Sequence, residues 1–374
     1  MRTDIVVIGG YGHVGSQICT LLADLYPGVV YAAGRSLARA EQFCKGSEGR
    51  IKPMQIDVSA ALSVDKLRKV KLVVMCLDQS DTSFAEACLI QGIHYMDVTA
   101  NLDFYRQMKQ LTSSGNTYAA SAVLSVGLAP GLTNLLAGEA RRSMDETWQL
   151  DISVLLGLGD SHGQAAIEWT VDNLNAEYEV MQSGRSHRVK SFTDGQTIDW
   201  GQSLGRRRAY RFPFSDQLTL PDTLGIATAS TRLCFDSRIA TYGLALLQKL
   251  GLLRWLERSR IRNAAVRSFG RVRWGTDKYA IKVEATGLRN GAKAKAEYVI
   301  QGSKESTITA QVAAAIAGIL FKEWSGSPGV YHVEQLFGLQ LGEHQISLYL
   351  RGDADRLSEA SNPIGGLNCW SRIS

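Results

Sequence analysis

This sequence has no apolar stretch long enough to cross a bilayer. Its opening MRTDIVVIGG carries one Arg and a short apolar run broken by glycines, which does not describe a signal peptide. No transmembrane segment and a cytoplasmic location are therefore expected. Cysteine is sparse: Cys19, Cys44, Cys76, Cys88, Cys234 and Cys369 are scattered, and none has the pairwise spacing of a zinc site or a redox motif. They read as small buried hydrophobes, and no metal is expected. Low-complexity tracts and internal repeats are absent, which argues against a solenoid or a disordered chain. Neither sign of charge dominates, the net being +5 over 374 residues. The excess is local, at Arg206–Arg208 and again at Arg254, Arg258, Arg260, Arg262, Arg267, Arg271 and Arg273. Without a recognised nucleic-acid motif, that basic stretch reads as a solvated face, and no nucleic-acid partner is expected.

What is present is a soluble composition, 45% hydrophobic and 21% charged, at a length that calls for two domains. DIVVIGG, residues 4–10, is a continuous β-branched run of the kind buried on both faces of a parallel sheet. It leads into Gly10-Tyr11-Gly12-His13-Val14-Gly15 and then Ile18, Leu21, Leu22 and Leu25 at helical spacing. Strand, glycine spacing and amphipathic helix together form a dinucleotide-binding fingerprint. Gly10 is expected to make the tight turn, Gly12 to admit a pyrophosphate and Gly15 to let helix and strand pack. Tyr11, His13 and Val14 line the turn, and His13 either touches a phosphate or faces solvent.

The second strand ends in Gly34-Arg35-Ser36, with Arg39 one turn on, where NAD-binding sequences place a carboxylate. A guanidinium and a hydroxyl there suit a 2′-phosphate, so NADP is expected in preference to NAD; the alternative is that Arg35 merely starts a helix. Strands and helices then alternate through residue 125, giving an α/β doubly wound parallel sheet. Ligands bind beyond the carboxyl ends of such strands. Asp57 and Val58 are expected to flank the adenine, and Leu77 and Asp78 the ribose and nicotinamide. Asp97 either orients a substrate or caps the next helix, with Thr99 beside it. After the sixth strand, SVGLAPGLTNLLA turns abruptly into a helix. Gly127 and Pro130 are expected against the nicotinamide, with Thr133 and Asn134 pointing into the cleft.

At Gly10–Gly15, at HYMDVTA and at Gly127–Ala137 the chain resembles the saccharopine dehydrogenase family, its NADP-binding reductases and lysine dehydrogenase-like members. The resemblance implies a Rossmann domain formed by residues 1–135 plus 305–374. An inserted mixed α/β domain for substrate binding and dimerisation would span residues 136–304, and a homodimer is expected. The implied activity is NADP-dependent hydride transfer at a carbon–nitrogen bond of a small amino-acid-derived substrate. Saccharopine reductases look like Gly-Leu-Asp-Pro-Gly at the turn, whereas this chain has Ala129 in the Asp position, so saccharopine itself is not the expected substrate.

In the inserted domain, WQLDISVLLGLGDSHGQAAIEWTVDNLNAEYEV reads as a strand, a polar loop and a helix through Tyr178. The resemblance puts a wall of the active cleft near that loop, which singles out His162 as a proton relay, Glu168 as an ammonium holder, and Trp169. A surface loop and an exposed helix are the plain alternatives for the first two. Arg232 lies in an apolar strand, so its charge needs a partner: a substrate carboxylate, or an ion pair with Asp236 or Asp216. RIATYGLALLQKLGLLRWLERSRIR is amphipathic and then basic; it is expected to be a core-packed helix with an exposed basic end, because Gln248 and Lys249 interrupt the apolar run, the alternative being contact with a membrane or a partner helix. A catalytically silent nucleotide sensor or scaffold is the rival to the enzyme, since a fold alone does not guarantee turnover.

Overall fold

In the computed structural model, which describes residues 2–59, 64–113, 117–270, 275–322, 324, 326–351 and 363–374, the run DIVVI forms β1 (Asp4–Ile8), buried at every position. Chain order continues with α1 (His13–Leu25), β2 (Val30–Gly34), α2 (Leu37–Cys44) and β3 (Ile51–Gln55). It proceeds through α3 (Val64–Leu67), β4 (Val70–Met75), α4 (Ser83–Ile90), β5 (His94–Asp97), α5 (Leu102–Ser113) and β6 (Ser121–Leu124). The seven strands lie in the order Gly329–His332, β6, β5, β4, β1, β2, β3, all parallel. The order reverses at β1, where the chain enters the sheet centre before building outward on both sides. This is the doubly wound sheet expected, and its switch point is where such sheets bind ligands.

Helices cover this sheet because their apolar residues repeat at 3.6. In α1, Ile18, Cys19, Leu22 and Ala23 are buried, each large side chain contributing about 1.5–3 kcal/mol. The helix Glu305–Lys322 buries Ile308, Val312, Ile316 and Leu320, and Phe321 meets the Tyr26 ring edge-on at 5.0 Å. This unit comprises Met1–Leu132, Thr307–Phe337 and Leu348–Asn362.

The second unit comprises Thr133–Ser306, Gly338–Ser347 and Pro363–Ser374. Its elements are α6 (Thr133–Arg142), β7 (Glu146–Leu156), α7 (Gln164–Asn173), β8 (Glu177–Gln182), β9 (Arg185–Lys190), β10 (Gln196–Asp199) and β11 (Arg206–Arg211). Then come α8 (Asp216–Leu224), β12 (Thr228–Phe235), α9 (Arg238–Lys249), α10 (Ser259–Phe269), β13 (Lys278–Arg289) and β14 (Ala292–Ser303). A mixed sheet runs β10, β11, β12, β7, β13, β14 and Asn368–Ile373; β12 pairs with β7 in parallel and the rest are antiparallel. The last strand belongs here and not with the first unit, where residues 305–374 were expected, because it hydrogen-bonds along β14 from Ala296 to Gln301.

One element differs outright from expectation. The helix expected to run through Tyr178 stops at Asn173, and Tyr178 lies in β8, half of a hairpin with β9. Ser183 and Gly184 both take positive φ, 52° and 72°, the two-residue turn whose twist suits a hairpin. Arg271 and Arg273 lie outside the described residues.

Candidate functional site

The glycine-rich turn between β1 and α1 is built on Gly9, one residue earlier than expected. Gly9 takes φ +79°, and its carbonyl accepts the Gly12 N–H at 2.8 Å. Gly10 instead answers a packing demand, since a Cβ there would sit 2.6 Å from the Val7 carbonyl oxygen. A Cβ on Gly15 would overlap the Gly9 carbonyl, so helix and turn meet only because that position is bare. Val14 is half-buried, and His13 starts α1 exposed, with its carbonyl accepting from Ser16 and Gln17.

Tyr11 ties this turn to the end of β2. Its ring rests on Gly34, its hydroxyl accepts the Ser36 N–H at 3.2 Å, and the Arg39 guanidinium lies over the ring at 4.9 Å. Ser36 caps α2, its hydroxyl accepting the Arg39 N–H at 3.4 Å. The first turn of α2 has no acid, and Arg35 and Arg39 are exposed there. Bare helix-start amides, a hydroxyl and two guanidiniums form an anion-seeking corner that fits a phosphate on the ribose. Asp57 closes its own turn at the end of β3, accepting the Ser59 N–H at 3.0 Å, while Val58 packs on the core. Leu77 is exposed beside Gly9, and burial raises the Asp78 carboxyl above its ordinary range.

Asp97 and Thr99 face inward to each other. Asp97 is fully buried and accepts the Thr99 N–H at 2.8 Å, the Thr99 hydroxyl, and the Tyr95 hydroxyl at 3.1 Å. Burial pushes its pKa up to about 6, although those hydrogen bonds pull it down. The carboxylate thus organises the end of β5, and its exposure to a substrate, which the sequence left open, is not observed. Three residues unnoticed in the sequence extend this network. The Tyr105 hydroxyl donates to the Thr99 carbonyl and accepts the Ser125 N–H at 3.2 Å, and the Ser125 hydroxyl meets His332 Nδ1 at 2.8 Å. Ser125 takes φ +59°, uncommon for a residue with a side chain, as the chain leaves β6. The turn that follows has a cis Ala129–Pro130 bond and is closed by Leu132 N–H to the Gly127 carbonyl at 2.8 Å. Gly127 and Pro130 are buried, and Ala129 is partly exposed.

In the second unit, Asn134 is buried in α6, with its amide 3.4 Å from the Thr219 hydroxyl on α8. Glu168 is a helix-surface residue, accepting from Gln164 one turn earlier at 2.6 Å and 4.0 Å from Arg262. Trp169 belongs to an aromatic cluster with Phe212 and Phe214, at 5.5 and 5.4 Å. His162 is engaged at both ring nitrogens, Nδ1 with Glu305 at 3.0 Å and Nε2 with the Gly157 carbonyl at 3.1 Å. Two acceptors require two donors, which only imidazolium supplies. The hydrogen bond to Glu305 raises the His162 pKa against the opposing effect of burial. Asp160, His162 and Glu305 bring three potential ligand atoms within 4.8 Å of one another, and the imidazolium is itself the cation among those carboxylates.

Arg232, 2% exposed, finds its partners in Asp194 at 2.7 Å, Asp151 at 3.4 Å and the Ser230 hydroxyl at 2.7 Å. The two partners expected from the sequence are engaged elsewhere: Asp236 accepts from Leu158 and Thr276, and Asp216 from the Thr231 hydroxyl. Arg211, on the neighbouring β11, bonds Asp194 at 2.9 Å through Nε. Burial lifts the Asp194 pKa, but hydrogen bonds and charge from Arg211 and Arg232 outweigh it and leave the carboxyl below its ordinary range. These groups line a cavity of about 290 Å³ together with Gln149, Gln182, Gln196 and Ser230. Two guanidiniums and two carboxylates facing one space complement a small molecule that carries both charges. Arg232 apart, only spatial pairing reveals them, because Asp151, Asp194, Arg211 and Arg232 lie on four separate segments.

Residues 5–124 match the family described as saccharopine dehydrogenase NADP binding domain. In structure, the chain is similar to the apo saccharopine dehydrogenase (L-Glu forming) of Saccharomyces cerevisiae, at TM-score 0.60 and 14% identity over 89% of this chain and 94% of that one. It is also similar to a homospermidine synthase of Legionella pneumophila in complex with NAD, at TM-score 0.59 and 11% identity over 90% and 87%. At such identity these likenesses establish the fold. A search of curated proteins found no match.

Proposed function

We propose that this chain, saccharopine dehydrogenase-like through its NADP-binding domain, is an oxidoreductase acting on a carbon–nitrogen bond of a small amino-acid-derived substrate. One observation carries this reading: a phosphate-seeking corner of Arg35, Ser36 and Arg39 is joined through Tyr11 to the glycine turn of a domain that matches that family. When bound, NADP supplies the hydride chemistry. Gly9–Gly15 would hold the pyrophosphate, and Arg35, Ser36 and Arg39 the 2′-phosphate. Asp57 and Val58 would flank the adenine, and Leu77, Asp78, Thr99, Gly127 and Pro130 would lie toward the nicotinamide.

The charged cavity supports an amino-acid-like substrate. Among the described residues Arg211 engages only its Nε, which leaves its terminal nitrogens to a carboxylate. Asp151 and Asp194 offer negative charge to an ammonium, and Arg232 holds both carboxylates in place. Ala129 supplies no carboxylate at the turn, which favours a substrate other than saccharopine.

A silent nucleotide-binding sensor or scaffold is the second reading, favoured by one specific observation: both His162 nitrogens already face protein acceptors. Incubation with NADPH, ammonia or primary amines, and a panel of 2-oxo acids separates the two. Oxidation of NADPH dependent on both co-substrates is expected of the enzyme. Tight NADPH binding without turnover across the panel, in either direction, identifies the sensor.

A further inference from the structure

Helix α9 wears its amphipathicity inside out. Its buried positions are polar: Thr241, hydrogen-bonded to the Phe235 N–H at 2.9 Å, and Gln248, whose amide finds no partner among the described residues. The opposite face carries Ile239 (74% exposed), Tyr242, Leu246 (56%) and Leu250 (61%) at i, i+3, i+7 and i+11, with Leu247 alongside. The sequence predicted a core-packed helix interrupted by Gln248. The structure buries Gln248 and leaves the leucines out. Periodicity identifies a stripe but does not say which way it faces.

The apolar surface continues through Leu252 and the half-exposed Trp255 in the next turn. Exposed apolar surface of this extent marks something that covers it. The charge along this stretch is predominantly positive. Arg238, Lys249, Arg254 and Arg258 border it, Glu257 is the only acid between residues 238 and 258, and Arg260 and Arg267 are exposed beyond.

We propose that this face docks on an anionic lipid bilayer, with the α9 leucines at acyl depth, Tyr242 and Trp255 at the headgroups, and the arginines and Lys249 against lipid phosphates. A second copy fits less well, because two such faces would bring like charges together. No helix among the described residues is long and apolar enough to cross a membrane, so the contact is with the surface. The residues of α9 belong neither to the cofactor corner nor to the charged cavity, and this inference does not rest on the oxidoreductase reading.

The test is flotation of the full chain with vesicles of phosphatidylcholine containing about 30 mol% phosphatidylglycerol, beside vesicles of phosphatidylcholine alone. Binding is expected to the first and to weaken about tenfold or more as salt rises from about 50 to about 500 mM. Leu246→Asp with Leu250→Asp is expected to abolish it while leaving the thermal melt and NADPH affinity unchanged, and Arg254→Glu with Arg258→Glu to remove its preference for anionic lipid. Failure of the wild-type chain to float with anionic vesicles at low salt overturns the proposal. So does a wild-type dimer that the leucine variant splits into monomers without any vesicle binding, which would assign the face to a second copy.

Discussion

Ser36 donates its backbone N–H to the Tyr11 hydroxyl at 3.2 Å, which fastens the phosphate-seeking start of α2 to the glycine turn after β1. Arg39 lies over the face of the same ring, its guanidinium 4.9 Å from the centroid. Arg39→Ala is therefore expected to weaken NADPH binding about tenfold, the scale of one charge-assisted contact, and to leave NADH binding unchanged. Titration of both nucleotides by calorimetry checks this; equal losses for the two would remove the 2′-phosphate from this corner.

Asp97 makes folding sensitive to mild acid in an unusual direction. Its pKa is about 6 in the folded chain against an ordinary 3.8, so between these values the native state holds a proton that the unfolded chain releases. Its contribution is complete below the ordinary value and is lost as pH rises through about 6, by up to about 3 kcal/mol. Asp97→Asn should remove that slope from denaturant-unfolding stabilities measured across the window. An unchanged slope would show that Asp97 ionises as freely in the native state as in the unfolded one.

His162 works in the same sense for a different reason. Glu305 raises its pKa above 6.5, so the stabilisation is complete below that value and fades as pH rises through the folded one. In Glu305→Gln an NMR titration should find the imidazole pKa lower than in the wild-type chain. Wild-type and variant melting temperatures should then converge at high pH. A His162 that titrates identically in both proteins would mean that the pair does not form in solution.

Arg232 and Arg211 share Asp194 but should fail differently. Removing Arg232, buried against two carboxylates, is expected to destabilise by about 3–5 kcal/mol. Arg211→Ala leaves Asp194 its bond to Arg232, so stability should fall less, while KM for the carboxylate substrate rises about tenfold with kcat nearly constant. A kcat loss without a KM change would argue that Arg211 does not grip the ground-state substrate.

The first unit was legible because parallel strands buried on both faces leave unbroken apolar runs, as in DIVVI and KLVVM, and because a glycine turn has few chemical solutions. The missing acid at the end of β2 was legible as well, since it is a local fact. The second unit was harder to read. Arg232 needed a partner, but the choice among Asp151, Asp194, Asp216 and Asp236 depends on pairing between distant strands, which no spacing encodes. The hairpin that turns at Ser183–Gly184 was missed because its first strand begins at Glu177, inside the end of the apparent helix, where Glu177 and Tyr178 suit either period. In α9 the pattern was plain and its direction was not.

The most direct test of the central claim follows the hydride itself. NADPH carrying deuterium at nicotinamide C4, incubated with the chain, an amine and the 2-oxo acid that supports turnover, should deliver deuterium to the carbon that acquires nitrogen, read by mass spectrometry of the product. Label in that position establishes reduction at a carbon–nitrogen bond. Bound but unoxidised NADPH, or a product whose label sits on an alcohol carbon, would contradict it.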